Sequence, residues 1–307
     1  MKLVTTSVVR GSHQGESHGG VYLVDLEARS VRQAVDWNKA DIDWQGRGWD
    51  RGLRGIAIDG DTVYIAASDE LFAYTPAFEP LGSWRSPYLR HCHEIAVYRR
   101  TLFVTSTGFD TILGFDLDAR RFGWALHVGL ERNRFQARIF DPAAGSGPPM
   151  LNKLHINSVF CTDGGMYIGG LRTGGMLHFD GRAVRLAVQL PAGCHNARPF
   201  RDGVLFNDTE ADVLRYAGRD NGAGDRALRV PKYSPASLTH RDFDRSGIAR
   251  QGFARGLCVL SDTVVAGGSS PSTVAVYDLA AGKRLLTVNL TMDVRNAIHG
   301  LEVWPYA

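Results

Sequence analysis

The sequence has little of what a secreted, membrane-spanning or helical protein needs. It holds four cysteines and no C-x-x-C pair, so the common zinc-ribbon spacings are absent. Cys92, Cys161, Cys194 and Cys258 each fall in or beside a short apolar run, so they read as reduced core thiols, with a zinc–thiolate site as the sharper alternative. No stretch approaches the roughly 18 apolar residues of a membrane span, and Met1–Thr6 opens no run of signal-peptide length. The expectation is a cytoplasmic protein with no membrane partner. Excess charge of one sign is also missing. The 35 basic residues face 32 acidic ones for a net charge of +3, which argues against a nucleic-acid partner. There is no P-loop, no dinucleotide fingerprint and no G-x-S-x-G elbow. Helical periodicity is nearly absent.

What the chain does have is glycine, 35 residues of it, punctuating short alternating apolar runs. Six segments share one form, a polar lead residue followed by an apolar strand. They begin at Arg54, His93, His155, His195, Arg255 and His299, and in five of them Ile or Val stands four residues after the lead, Pro199 being the exception. A second, a third and a more polar fourth strand follow each of the first five. Thr62–Ala66, Ile112–Asp116 and Lys283–Val288 are examples. Four-stranded meanders repeated in this way predict an all-β, six-bladed β-propeller. The sixth unit runs out of chain after His299. The N-terminal segments Leu3–Val8, Gly20–Asp25 and Val31–Val35 supply its missing strands and close the ring, hiding sheet edges.

The lead residues are spaced 39, 62, 40, 60 and 44 residues apart, with 62 through the joined termini. Every second connection therefore carries extra chain, at residues 37–53, 130–154 and 231–254. The expectation is a single propeller domain over 1–307 with a three-lobed cap above the lead residues. The second-to-third-strand loops, such as Ser106–Asp110 and Asn207–Asp212, are expected at the same channel mouth. Rigid scaffolds usually carry function on such loops.

Four of the six lead residues are histidine. Imidazole ligates zinc, copper, iron and nickel, so the pattern points to a metal held by His93, His155, His195 and His299. Alternatively three of them hold it, and His299 stands between Arg255 and Arg54 as an anion-binding or acid–base group. A channel lined by polar histidines without metal is the plainer reading. Fe(II) is the favoured ion, with Zn, Mn or Cu as other occupants. His91, two residues before His93, is expected on the same side of an extended strand, and His13 and His18 in a solvent-exposed loop. Glu94, Asn157, Asn196 and Glu302 are candidates to hydrogen-bond the ring histidines. Arg54 and Arg255 sit in matching Arg-Gly contexts. Their planar forks suit a carboxylate on a small-molecule substrate, unless they pair with acids such as Glu94 or Asp208. Trp37, Trp44 and Trp49 offer aromatic cover for a ligand or an anchor for the cap.

The repeat pattern resembles the six-bladed superfamily that includes gluconolactonase-like hydrolases and strictosidine synthase. The gluconolactonase-like enzymes hold their metal with carboxylate and asparagine side chains, where this chain has histidine. The four-histidine set is similar in logic to the carotenoid cleavage oxygenases, which hold a non-heme iron by four histidines on seven blades. Virginiamycin B lyase, a propeller with a catalytic histidine and a metal, makes lyase chemistry a second expectation. Gly252–Leu257 also resembles a segment of uncharacterised bacterial propellers. The ring of lead residues, with the four-histidine resemblance beside it, gives the expectation of a metal-dependent enzyme, a mononuclear non-heme iron oxygenase first, with Arg54, Arg255 and His299 as catalytic residues. A metal-assisted lyase, isomerase or hydrolase comes second, and a non-catalytic binding propeller third.

Overall fold

The computed structural model describes residues 1–13, 15–37, 52–218, 222, 224–242 and 249–306. Its strands form six antiparallel sheets, and the fold is the expected six-bladed β-propeller. Among the described residues no helix is long and apolar enough to cross a membrane. The chain forms two compact units, Gly55–Phe200 and Met1–Arg54 with Arg201–Ala307.

In the Gly55–Phe200 unit the first sheet runs Ile56–Asp59, Thr62–Ala66, Leu71–Tyr74 and Pro80–Trp84. The second runs Ile95–Tyr98, Thr101–Ser106, Thr111–Asp116, Arg121–Glu131 and Arg134–Phe140. The third runs Ile156–Thr162, Gly165–Gly170, Gly175–Phe179 and Val184–Gln189, and Cys194–Phe200 packs beside it. Apolar faces of neighbouring sheets meet. Tyr64 and Leu71 from the first sheet share a buried cluster with Leu102, Val104 and Phe115 from the second. Ile112 and Leu126 do the same with Ile156, Ile168 and Leu177 of the third. The polar outer strands follow from this packing: Val184–Gln189 is exposed along most of its length.

In the other unit Asn296–Val303 pairs with Lys2–Val9, which pairs with Gly20–Asp25 and then Ser30–Asp36. The N-terminal strands thus complete the C-terminal blade as the repeat predicts. A second sheet here runs Arg255–Val259, Val264–Ser269, Thr273–Asp278 and Lys283–Asn289. Leu3, Val24, Val274, Val276, Ile298 and Leu301 join the two sheets in one core. Gly203–Asp208, Val213–Ala217 and Arg226–Arg229 pair in series.

The recurring Asp at the end of third strands has a local cause. Asp25, Asp116 and Asp180 each accept two backbone N–H groups from the following turn, fixing the hairpin to the fourth strand.

One expectation about the insertions changes. Residues 130–154 are not cap loop throughout. Leu130 and Glu131 end a long fourth strand, and Arg134–Phe140 pairs back on it as a fifth. Phe135 and Ala137 are partly covered between exposed Arg134, Gln136 and Arg138, but at the end of the strand Ile139 is exposed and Phe140 is buried. Residues 38–51, with Trp44 and Trp49, and 243–248 lie outside the described residues. Trp37 is buried, and its main chain bonds Gly19 and His18, consistent with an anchoring role. None of the four cysteines is in a disulfide; Cys92, Cys194 and Cys258 are buried as expected, and Cys161 is partly buried, where burial pushes its thiol up to about 12.

Candidate functional site

Lead residues sit in or just before the first strand of each repeat, but not at one fixed register; His299 is the fourth residue of the eight-residue strand Asn296–Val303. His195, Arg255 and His299 lie on their strands, while Arg54, His93 and His155 stand just before theirs. The backbone is irregular at these points. Register shifts interrupt the pairing at Ile156–Ser158, at Arg255–Leu257 and opposite His299. Such bulges turn a side chain out of the strand's alternation. The residue after the lead is left-handed at Asn196 (φ 54°) and Gly256 (φ 76°). At Gly256 a Cβ would also stand 2.9 Å from Ile298, so the Arg-Gly pair has both a conformational and a steric reason.

In the Gly55–Phe200 unit, His93, His155 and His195 come together. The His93 ring centroid lies 5.3 Å from that of His155 and 6.0 Å from that of His195. Each ring is oriented through Nδ1. His93 Nδ1 lies 2.8 Å from the His91 carbonyl and 2.8 Å from Thr107 Oγ1. His155 Nδ1 lies 3.0 Å from Asn152 Oδ1, and His195 Nδ1 3.2 Å from the Gly193 carbonyl. Carbonyl oxygens only accept, so Nδ1 carries the proton in all three and Nε2 carries the lone pair. The Thr107 hydroxyl donates to the Ile156 carbonyl, linking the His93 ring to the strand that follows His155.

The partners of Nδ1 correct the sequence expectation. It placed Glu94, Asn157 and Asn196 behind the rings, whereas main-chain carbonyls, Thr107 and Asn152 orient them. Asn157 instead donates to the Cys194 carbonyl, and Glu94 binds Arg198 at 3.0 Å and Asn196 at 3.3 Å. Burial raises the Glu94 carboxyl above its ordinary range against the pull of Arg198. Glu302 lies in the other unit. His91 is exposed at φ 54°, so it sits in a turn and not in the extended strand that would aim it like His93.

One residue that sequence reading passed over holds this cluster in place. The Asp110 carboxylate accepts the backbone N–H groups of Lys153, Leu154, His155 and Ile156 at 2.6, 3.0, 2.8 and 3.4 Å. The loop that presents His155 is pinned by one buried side chain more than forty positions earlier.

The other unit holds Arg54, Arg255 and His299. His299 repeats the orientation of the histidines above, with Nδ1 3.2 Å from the Ala297 carbonyl. Its Nε2 accepts from Arg255 Nη1 at 2.9 Å. That lone pair is committed to a guanidinium, which favours the alternative in which His299 works with the arginines and not as a fourth metal ligand. Arg54 is reached through a hydroxyl: the Gly300 N–H donates to Thr6 Oγ1, which donates to the Arg54 carbonyl. The acids named as alternative partners make other ion pairs. Glu94 pairs with Arg198, and Asp208 with Arg215 at 2.8 Å. His18 departs from its expected exposure. It is fully buried, with Nδ1 2.5 Å from Ser12 Oγ, while His13 is exposed as expected.

Burial, followed by the charges of Arg255, Arg54 and Arg10, holds His299 well below the usual imidazole range, so it is neutral at neutral pH. Below about pH 6.5 the unfolded chain takes up a proton that the folded chain resists. Stability from this group is therefore complete above that pH and declines as pH falls. His299→Gln is expected to remove the decline. Denaturant titrations between pH 7.5 and 5 should show wild type losing up to about 1.4 kcal/mol per pH unit relative to the variant. Parallel curves would contradict a buried neutral imidazole.

Among the described residues no group of three or more His, Cys, Asp or Glu side chains is arranged so that it could hold a metal ion. Two imidazoles bound at about 2.0–2.1 Å to a tetrahedral ion put their ring centroids about 5 Å apart. The His93–His155 pair is near that spacing, and the His93–His195 pair is wider at 6.0 Å.

No protein-family model matches the chain, and no curated protein matches it. Solved structures do. A nidogen/laminin complex aligns with a TM-score of 0.61 at 13% identity, covering 98% of both chains. A protein of unknown function from Bacteroides caccae aligns with a TM-score of 0.57 at 10% identity, covering 98% of this chain and 97% of that one. Virginiamycin B lyase from Staphylococcus aureus reaches 0.47 at 9% identity over 78% of this chain and 71% of its own. At such identities the first two show the propeller fold alone, and the third carries no argument about chemistry.

Proposed function

We propose that the chain is a metal-dependent enzyme whose divalent ion is held by Nε2 of His93, His155 and His195. The observation that carries this is their shared protonation state and convergence: three histidines from successive repeats, each locked through Nδ1, with rings 5.3 and 6.0 Å apart. A fixed Nδ1–H and a basic Nε2 is how proteins prepare imidazole for a metal. The three rings as they stand do not close on one ion, so binding requires them to reorient. Three neutral imidazoles leave positions for water or substrate and suit Fe(II), with Zn, Mn or Cu as competing occupants. The favoured reaction class is oxygenation of a small anionic or aromatic molecule, the ion supplying oxygen activation. In the unit that holds them, Arg54 and Arg255 orient an anionic group and His299 serves as acid or base. The second reading, favoured if zinc or manganese is the resident ion, is a lyase, isomerase or hydrolase with the metal as Lewis acid.

The test uses chelator-stripped protein reloaded with Fe(II), Zn(II) or Mn(II). An ion that binds the folded chain alone stabilises it by about 2.7 kcal/mol at a hundred times its Kd. The expected result is a raised melting temperature with at least one ion, and with Fe(II) oxygen uptake on a panel of small carboxylates. Stabilisation by zinc or manganese with turnover in the absence of oxygen would select the second reading. No stabilisation by any ion would sink both.

A further inference from the structure

The seams between neighbouring sheets of the Gly55–Phe200 unit are filled differently. Between the first and second sheets the aromatic rings close on one another. Phe115 lies 4.9 Å from Trp84, 5.1 Å from Phe122 and 6.4 Å from Tyr64, centroid to centroid. Between the second and third sheets a cavity of about 540 Å³ remains. Phe103 and Trp124 form one wall, and Cys161, Met166 and Phe179 the other. Each wall is a row of cross-strand neighbours. Phe103 and Trp124 both pair with Gly114, and Met166 pairs with Cys161 and Phe179. Gly114 leaves room for the indole: a Cβ there would stand 3.2 Å from Trp124 Cε3 and 3.4 Å from Thr101 Cγ2. Phe103 and Trp124 meet edge to face, 5.8 Å apart at 88°, and both stay partly exposed. Met166 and Phe179 are buried.

The rim is polar and its charges are matched. Tyr98 and Arg99, at a hairpin of the second sheet, both donate to Asp163 at a hairpin of the third, Arg99 at 2.8 Å. These bonds tie the two hairpins across the seam and bound the cavity on that side. The other carboxylate of the rim, Asp180, accepts from Arg185 at 3.0 Å. Each charged residue of the rim thus has an opposite charge beside it, and the mouth favours neither anion nor cation. The strands Ile95–Tyr98 and Ile156–Thr162 begin beside His93 and His155 and end at this rim. The cavity therefore lies at the opposite end of the sheets from the histidines, roughly 20 Å along the longer strand.

We propose that this cavity is a binding site for an uncharged, planar aromatic small molecule. Its volume lies in the range of roughly 300–1,000 Å³ that takes one such ligand. A ring between the two walls would meet the Phe103 and Trp124 rings on one side and the Met166 and Cys161 sulfurs on the other. Edge-to-face and sulfur–aromatic contacts favour it over a saturated ring of the same size. The proposal shares no residue with the histidine cluster and does not depend on the metal.

Calorimetric titration of the full chain with naphthol tests it, beside decahydronaphthol as the saturated analogue and naphthaleneacetate and naphthylmethylamine as charged ones. Naphthol should bind at least about tenfold more tightly than decahydronaphthol and about threefold more tightly than either charged analogue. Cys161 supplies a readout that needs no substitution, because it is partly buried where the other three thiols are buried. Maleimide labelling at about pH 9, mapped by peptide mass, should fall on Cys161, and saturating naphthol should slow it about fivefold or more. Trp124→Leu removes the indole but keeps an apolar side chain, and should weaken naphthol by about tenfold. Cys161→Phe fills the cavity and should abolish binding, a thermal melt confirming that the variant folds. If neither variant folds, the labelling of wild-type protein decides. No binding, equal affinity for decahydronaphthol, tighter binding of a charged analogue, Cys161 labelling unchanged by naphthol, or a folded Cys161→Phe chain that binds as wild type would overturn the proposal.

Discussion

Replacing His155 by alanine is expected to cut bound metal from about one ion per chain to less than a tenth of that. Removing one of three imidazoles leaves a two-ligand site, and losing one good ligand costs several kcal/mol of binding, so the remaining affinity falls outside the working range. The variant needs a control. His155 lies at φ 56°, a conformation in which alanine is strained by roughly 1–2 kcal/mol. Asparagine tolerates that region, so His155→Asn removes the imidazole without the strain. Both variants should lose the metal, and the asparagine variant should keep a melting temperature closer to wild type. Elemental analysis of tag-free protein reads the first quantity and a thermal melt the second. Full metal content in both variants would remove His155 from the ligand set.

Asp110→Ala is expected to cost about 3 kcal/mol of stability, because a charged acceptor serving four backbone N–H groups is lost at once. Leu154 and Ile156 are buried, so their N–H groups have little water to turn to. The left-handed backbone of Asp110 adds to the cost, since alanine fits φ 49° poorly. Asp110→Asn keeps that conformation and one acceptor oxygen and should lose about half as much. The loop from Asn152 to Ile156 carries His155, so both substitutions should also weaken metal binding although Asp110 is not a ligand. Urea denaturation at neutral pH measures the stability, and competition with a chelating dye measures the affinity. An alanine variant within about 0.5 kcal/mol of wild type would mean the carboxylate is not what holds the loop.

Much of this was legible in the repeats. A polar residue leading an apolar strand at six related positions was enough to place six blades and to pair the N-terminal strands with Asn296–Val303. Three of its four histidines are neighbours in the structure. Four kinds of detail were not legible, for separate physical reasons. The lead residues differ in register because bulges and left-handed residues such as Asn196 break the two-residue alternation locally, and the same backbone freedom turned His91 away from the strand it was assigned. Asp110 acts across a sequence gap that no local pattern reports. His18 is buried because its loop folds in against Ser12, a tertiary effect. The fifth strand of the second sheet, by contrast, was readable. Arg134–Arg138 alternates polar and apolar residues before Ile139 and Phe140 break the period, and the segment pairs with Ala125–Glu131. Phe103 and Phe179 face one cavity only in three dimensions, as they lie on different sheets.

The central claim is that His93, His155 and His195 bind one metal ion. Its most direct test is the metal content of wild-type protein purified without an affinity tag, measured beside His155→Asn prepared in parallel. The account predicts about one divalent ion per wild-type chain and a near-empty variant. Wild-type protein without stoichiometric metal, unchanged in stability after incubation with Fe(II), Zn(II) or Mn(II), would contradict it and leave the histidines as hydrogen-bonded lining of the propeller.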